Sequence, residues 1–158
     1  MDGSELDDVD RAILYALQEN ARHVSNAEIS EGIGLSASTV GKRIAELEAV
    51  GVITGYRPEI DYERAGFPLE VLFICTAPLT DRERLVESAA NIPGIVHIRE
   101  LMTGDGNVHI LVAGTSKGDV SRIAHGLDEL GFDVRDEILV GDEDTLQGSH
   151  FDGKGPRS

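Results

Sequence analysis

Residues 29–56 read ISEGIGLSASTVGKRIAELEAVGVITGY, and this stretch decides the fold of the first part of the chain. A short helix around Ile29 is predicted to end at Gly34, because glycine interrupts helices and permits a tight turn. Ser36 is a typical N-cap residue and starts a second helix, which Gly51 ends. Apolar residues follow along this second helix at spacings of four and three: Val40, Ile44 and Leu47. The pattern predicts two helices joined by a glycine-containing turn.

A further helix is predicted upstream of these two. Asp7 is placed to cap it, with Asp10 at the third helical position. Ser25 followed by Glu28 forms a capping box that starts the helix around Ile29. Residues 52–56 have the composition of a short strand. Three short helices around a glycine turn predict a helix-turn-helix domain of winged-helix-like form.

The outward face of the second helix carries side chains that suit DNA. Short hydroxyls near a helix N-terminus can approach bases or phosphates, helped by the helix dipole. Lys42 and Arg43 lie about one turn further on, are expected to be exposed, and can pair with phosphate or guanine. The alternative is that this pair is only solvated surface. The predicted DNA-contact set is Ser36, Ser38, Thr39, Lys42 and Arg43, with Arg22 and Arg57 flanking it on the DNA backbone.

The second half of the chain changes to a pattern of strands and helices. A capping box of Thr80 and Glu83 is predicted to begin one helix, and Ser116 with Asp119 to begin the other. The predicted strands are 69–77, 95–102, 107–113 and 133–140. The resulting order, βαββαβ, is the ferredoxin-like arrangement, and the fold class is α+β.

These patterns divide the chain into four segments. We predict a helix-turn-helix DNA-binding domain over 1–57 and a hinge with two prolines over 58–68. A ferredoxin-like domain for oligomerisation and effector binding follows over 69–140. The polar segment 141–158, rich in Gly and Asp, is predicted to be a loose, flexible tail.

The predicted strands have apolar residues on both faces. In the third strand Val108 and Ile110 alternate with Leu111, so neither face is purely polar. Two helices cover one face of a four-stranded sheet, and the other face requires a partner. The simplest partner is the same sheet of a second subunit, which predicts a homodimer.

The composition narrows the classes of function. The chain has 14 Lys and Arg residues against 29 Asp and Glu, a net charge of −15, and only three lysines. Such an acidic, lysine-poor surface is typical of proteins that work in concentrated salt, where a general basic surface contributes little to DNA binding. The apolar run 71–75 is too short for a membrane span, and the acidic N-terminus is unlike a signal peptide. We expect a cytoplasmic protein in which the single cysteine, Cys75, is a small core residue.

A combination of short motifs runs along both halves of the chain: LDDVDRAIL at 6–14, GLS at 34–36, Val40, RI at 43–44, LE at 47–48, GVITGY at 51–56, Gly66, PGI at 93–95 and TGD at 103–105. Taken together, these motifs resemble the Lrp/AsnC family of prokaryotic transcriptional regulators, in a notably acidic form. The resemblance implies DNA binding through the helix-turn-helix, dimers formed by the ferredoxin-like domain, further assembly to octamers, and amino acids bound between dimers.

The resemblance also points to the glycine-rich turn between the second and third strands as an effector site. The candidate residues are Thr103, Gly104, Asp105, Gly106 and Asn107. Asn107 stands where the family usually has an aspartate that can hold an amino group, and a neutral amide lacks that charge-assisted contact. Asp105 could substitute, the effector could be a different small metabolite, or the turn could be only a hairpin connection.

Two other classes of function remain open at this point. Some tetrapyrrole decarboxylases resemble this family in fold, but the chain offers few basic residues for such an anionic substrate and no catalytic pattern. We therefore expect that this protein is not an enzyme. We also expect it to have no cofactor and no metal site. An interaction module that has lost DNA binding is the other alternative, since residues 1–58 hold five basic against ten acidic residues.

Overall fold

The computed structural model describes residues 5–153, which form two compact units. The helical unit lies within Met1–Pro58 and Asp144–Ser158, and the sheet unit is Glu59–Glu143. Each unit has its own apolar core. Within residues 5–153 no helix is both long enough and apolar enough to cross a membrane.

The helical unit contains the three predicted helices: α1 (Asp8–Asn20), α2 (Asn26–Ile33) and α3 (Ala37–Ala49). The capping predictions are confirmed, because Asp7 and Ser25 each form a complete capping box and Ser36 accepts from the backbone of Thr39. Gly34 ends α2 with a φ of 74° and Gly51 follows α3 with a φ of 80°, a conformation that glycine adopts without strain. The core consists of Ile13, Leu14, Ile29, Val40 and Leu47.

Residues 52–56 form no strand, so that prediction is wrong. The backbone N–H groups of Val52 and Ile53 both donate to the carbonyl of Leu47, at 2.9 and 3.1 Å. These groups close the C-terminus of α3, and they are therefore not available for a strand pair. Earlier in α3, a Cβ on Gly41 would lie 3.1 Å from the Asn26 side chain, so glycine at this position accommodates the start of α2.

The sheet unit has the predicted ferredoxin-like topology. Its four strands are antiparallel in the order β2-β3-β1-β4. The elements are β1 (Leu69–Thr76), α4 (Arg82–Ala89), β2 (Ile95–Glu100), β3 (Val108–Gly114), α5 (Lys117–Leu130) and β4 (Asp133–Leu139). Cys75 is fully buried in the core, and burial raises the pKa of its thiol to about 12, which confirms the predicted structural role.

The two helices of the sheet unit start differently. Ser116 accepts a hydrogen bond from the Asp119 N–H and caps α5, as predicted. The predicted capping box of Thr80 and Glu83 is wrong: α4 begins at Arg82, and the residue at its N-cap, Asp81, makes no side-chain cap bond. Asp81 has helical backbone angles rather than the extended ones that place a cap side chain over the first turn.

One face of the sheet packs against α4 and α5 through alternate residues such as Phe73 and Ile110, both fully buried. The opposite face, which we call the open face, has an apolar centre, as the alternation predicts. Polar residues surround this centre on the same face: His97, Arg99, His109 and Asp136. Strand register brings together its central residues Leu72, Ile74, Leu111 and Ile138. The first three are half-buried and Ile138 is 44% exposed. Apolar side chains on an uncovered face are favourable sites for a partner.

The C-terminal segment differs from the predicted loose tail. Gln147 Nε2 donates to the carbonyl of Tyr15 at 2.7 Å, and Phe151 packs against the core of the helical unit. Residues 144–153 group with the helical unit, and the contacts of Gln147 with α1 and of Phe151 with the helical core contribute to this grouping. Residues 154–158 of the predicted tail lie outside the described range.

The predicted hinge also contains an ordered turn. Within 58–68, Ala65 N–H donates to the carbonyl of Asp61 at 3.0 Å, and the Tyr62 and Phe67 rings meet edge to face. Most of this segment is part of the sheet unit, which starts at Glu59.

Candidate DNA-binding surface and effector turn

The N-terminus of α3 carries a cluster of hydroxyl groups. Ser36 Oγ accepts from the Thr39 N–H at 3.2 Å and lies 2.8 Å from Thr39 Oγ1 and 3.1 Å from Ser38 Oγ. Ser36 thus acts first as the cap of the helix, and it also orients the two hydroxyls that follow it. Ser38 is exposed and Thr39 is half-buried, so Ser38 is the more accessible of the two.

The predicted basic residues are not all equivalent. Lys42 is exposed and lies one helical turn after Ser38, on the same side of α3. Arg22 lies in the turn before α2, and Arg57 follows α3; both are exposed. Lys42 is therefore placed to join the hydroxyl cluster on one surface.

Arg43 was expected to be exposed, and this expectation is wrong: only 27% of its side chain is accessible. Its Nη1 donates to Asp7 Oδ2 at 2.7 Å and to Asp10 Oδ1 at 3.1 Å. Asp10 itself is completely buried. The physical reason is that an ionised carboxylate inside a small core requires a counter-charge, and Arg43 is the residue of α3 that reaches it.

The electrostatics of this group agree with the geometry. The pKa of Asp7 lies below its ordinary value, mainly because its carboxylate accepts the Asp10 backbone N–H and also because Arg43 is close. The pKa of Arg43 is raised, chiefly by its hydrogen bond to Asp7. The charged forms of both partners are therefore favoured.

The predicted effector turn lies between β2 and β3, where Leu101 N–H donates to the Asn107 carbonyl at 2.8 Å. Thr76, at the end of β1, holds the turn: its Oγ1 donates to Asp105 Oδ1 at 2.8 Å and accepts from the Gly106 N–H at 2.9 Å. The Asp105 side chain remains 74% exposed, with Arg135 Nη2 3.4 Å from Oδ1. Thr103 and Gly104 are also exposed.

Asn107 does not face solvent, which corrects its assignment as an effector contact. Its side chain is fully buried, its Oδ1 accepts from the Ala77 N–H, and its Nδ2 donates to the Ala77 carbonyl, both at 2.8 Å. An amide can satisfy a backbone N–H and C=O together, which an aspartate at this position cannot do while ionised. Asn107 therefore joins β3 to the end of β1.

Sequence reasoning missed Thr76 and Arg135 at this turn. Both lie on strands β1 and β4, about 30 residues from Asp105 on either side. Only the strand order brings them to the turn, and the sequence carries no local signal for either contact.

Comparison with known proteins agrees with this architecture. Residues 6–54 match the family described as "Winged helix-turn-helix DNA-binding". The regulator LrpA of Pyrococcus horikoshii is 32% identical over 108 residues, which cover 68% of this chain and 73% of that protein. The regulator AldR of Mycolicibacterium smegmatis is 32% identical over 104 residues; this match covers 64% of this chain but only 60% of AldR.

A solved structure extends the similarity to both units. A Neisseria meningitidis transcriptional regulator in complex with L-Met has a TM-score of 0.75 and 24% identity, covering 90% of this chain and 94% of that one, and shows the same fold. The fold and the exposed face of α3 define a helix-turn-helix protein with a ferredoxin-like second domain. The relatives named here are transcriptional regulators. This chain belongs to the Lrp/AsnC family of HTH-type transcriptional regulators.

Proposed function

We propose that this protein regulates transcription by binding double-stranded DNA sequence-specifically through α3, as a homodimer whose activity is modulated by an amino acid or another small metabolite. The observation that carries the proposal is the exposed hydroxyl and lysine face at the start of α3 within a winged helix-turn-helix unit. A helix N-terminus presented in this way is the part of a helix-turn-helix that contacts base edges.

Each residue of the proposed surface has a stated role. Ser38 and Lys42 contact base edges or phosphates, Thr39 supports them, and Ser36 contributes as the cap that orients both hydroxyls. Arg22 and Arg57, exposed on either side of the α2–α3 pair in sequence, contact the DNA backbone. Arg43 is left out of the direct contacts, because its ion pairs occupy it within the protein.

The test begins with an operator selected by the wild-type protein from a pool of random duplexes. If Lys42 contacts a base, Lys42→Ala is expected to weaken operator binding by about 1–3 kcal/mol. If Lys42 neutralises a phosphate, the variant should reduce the slope of log affinity against log salt concentration by about 0.9. Lys117→Ala, which removes an exposed lysine from the sheet unit, is the matched control and should change neither. If the wild type and Lys42→Ala bind the operator equally well, this face of α3 is excluded as the DNA-binding surface. If the wild type selects no duplex from the pool, the result favours the alternative of an interaction module that has lost DNA binding.

We also propose that the protein works in concentrated salt, supported by the net charge of −15 and the three lysines. The expected result is that the selected operator is still bound at molar KCl and that the protein is more stable there than in dilute buffer. Unfolding midpoints that fall as salt is added would contradict this part of the proposal.

The proposed dimer forms through the open face of the sheet unit, where Leu72, Ile74 and Leu111 are half-buried. Leu111→Lys is expected to yield a monomer in light scattering, because a charge would be placed in the apolar centre of the interface. Leu79→Lys, at a site 68% exposed outside this face, is the control and should stay dimeric. A wild-type monomer in concentrated salt contradicts the dimer. Octamers, which the family resemblance implies, would appear in the same measurement.

The proposed effector site is the turn 103–106, with the exposed Asp105 carboxylate holding an amine and backbone N–H groups of the turn holding a carboxylate. The L-Met complex of the Neisseria meningitidis regulator supports an amino acid as the first ligand to test. L-Methionine and a panel of amino acids should raise the melting temperature of wild type but not of Asp105→Asn. Asp128→Asn, an exposed acid on α5, is the control. If no amino acid of the panel raises the melting temperature of the wild-type protein, the proposal of an amino-acid effector is contradicted.

A further inference from the structure

The capping box of α1 contains a carboxylate with no access to solvent. Asp10 is completely buried; its Oδ2 accepts from the Asp7 N–H at 3.2 Å and its Oδ1 from Arg43 at 3.1 Å. Within residues 5–153 no other cation forms an ion pair with it. A buried ionised carboxylate is costly unless it is paired and hydrogen-bonded. The stability of this arrangement therefore depends on where Arg43 lies.

Arg43 belongs to α3, and its two acceptors belong to the start of α1. Its Nη1 lies between Asp7 Oδ2 and Asp10 Oδ1, at 2.7 and 3.1 Å. Rotating α3 about its axis or sliding it along α1 would separate this nitrogen from the buried carboxylate. Apolar contacts tolerate small rotations, whereas a charged hydrogen bond to a fixed acceptor is directional.

Lys42 precedes Arg43 in the chain, and Ser38 lies one turn before Lys42. The rotation that seats Arg43 on Asp10 therefore also fixes the direction in which Ser38 and Lys42 leave the unit. The two carboxylates also neutralise Arg43, which leaves it little charge with which to attract a phosphate. We infer that Arg43 is a positioning residue: it locks the rotation of α3 on Asp10 and so aims Ser38 and Lys42 at DNA without contacting DNA itself.

This inference rests on the proposed DNA-binding function, and its test separates the two. Arg43→Gln, Asp10→Asn and the double variant are compared on the selected operator and on a scrambled duplex, across a range of salt. Asp8→Asn is the matched control, since it removes a charge from the same turn of α1 at an exposed position that forms no ion pair with Arg43. Circular dichroism verifies that each variant is folded.

A positioning role makes the two single variants alike. Each is expected to lose operator affinity roughly 5- to 100-fold, which corresponds to about one base contact. The double variant should bind the operator no more weakly than the weaker single variant, because both single changes remove the same Arg43–Asp10 ion pair. Affinity for the scrambled duplex and the salt slope should stay at the wild-type values. A simple loss of folded protein would instead weaken both duplexes equally.

Other outcomes overturn the inference. In one such outcome, Arg43→Gln lowers the affinity for both duplexes and reduces the slope of log affinity against log salt concentration by about 0.9, while Asp10→Asn binds like the wild type. Arg43 would then be a phosphate contact. An unchanged operator preference in Arg43→Gln removes the role altogether. If these variants do not fold, Arg43→Lys keeps the counter-charge but not the planar guanidinium. If Arg43 is a positioning residue, Arg43→Lys should prefer the operator over the scrambled duplex less strongly than the wild type does. An unchanged preference in Arg43→Lys overturns the inference. A wild-type protein that binds no duplex overturns the proposed function and this inference together.

Discussion

The two units of this molecule hold their shape in different ways. Within the described residues, the core of the helical unit has five buried apolar side chains, and the core of the sheet unit has thirteen buried residues. The helical unit also buries a charged residue, Asp10, and pairs it with Arg43 across two helices. A small core removes little apolar surface from water. Directional polar contacts therefore contribute a larger share of the interactions that hold the helices of this unit in place.

The sheet unit uses polar contacts for a different purpose. Its apolar core is continuous, and its buried polar group, Asn107, lies at the end of a strand rather than among the helices. Thr76 and Asp105 hold the neighbouring turn. The difference teaches that polar contacts join α3 to the start of α1 in the first unit and hold an exposed turn in the second. In both units they lie beside the proposed binding surface.

The largest effect is expected from removing a central side chain of the sheet unit. Phe73 is fully buried between the sheet and its helices, so Phe73→Ala should reduce the free energy of unfolding by about 3–5 kcal/mol. Hydrogen exchange should show the loss across β1 and β3 while α1–α3 keep their protection. Leu79→Ala, at an exposed position, is the control. Equal loss of protection in both units would mean that they unfold together and that the comparison fails.

The next effect concerns the buried amide. Asn107→Ala leaves the N–H and C=O of Ala77 without partners, and we expect a loss of about 1–3 kcal/mol in urea unfolding. Asn91→Ala, an exposed residue after α4, should change stability by no more than about 0.5 kcal/mol. A loss as small as that of the control would show that water readily replaces the Asn107 contacts.

The C-terminal segment tests whether the helical unit needs additional apolar contacts. Phe151 is half-buried against its core, so Phe151→Ala should destabilise that unit by roughly 1–2 kcal/mol, less than a fully buried phenylalanine. Leu146→Ala, in the same segment but 82% exposed, serves as its control. The measurement is hydrogen exchange in α1, and unchanged exchange would return residues 144–153 to the predicted loose tail.

The smallest effect is a dependence on acid. The pKa of Asp7 is lowered on folding, first by its backbone hydrogen bond to Asp10 and then by Arg43. Its contribution is therefore fully present above the unfolded value of 3.8 and is lost as the pH falls through the lower folded pKa. NMR titration of the Asp7 carboxyl should give a midpoint below 3.8, and Asp7→Asn should remove this part of the acid dependence. A midpoint at or above 3.8 contradicts the hydrogen bond from the Asp10 N–H together with the ion pair to Arg43.

Much of the fold could be predicted because its signals are local. The caps Asp7, Ser25 and Ser36 act within four residues of themselves, and the structure confirms all three. Strand alternation likewise predicted the apolar centre of the open face, since the period of two is intrinsic to an extended chain. The strand predicted at 52–56 does not form, because the carbonyl of Leu47 at the end of α3 accepts hydrogen bonds from the backbone N–H groups of Val52 and Ile53.

The sequence by itself determined the capped starts of α1, α2, α3 and α5, the order of the helices and of the four sheet strands, and the surface of α3 that carries Ser38 and Lys42. Only the tertiary structure decided the roles of Arg43 and Asn107. Both look like ordinary polar surface residues in the sequence, and both bind partners that lie 30 to 36 residues away in the chain. The physical reason is that the partner of a buried polar group depends on which segments pack together, and packing is a property of the whole fold.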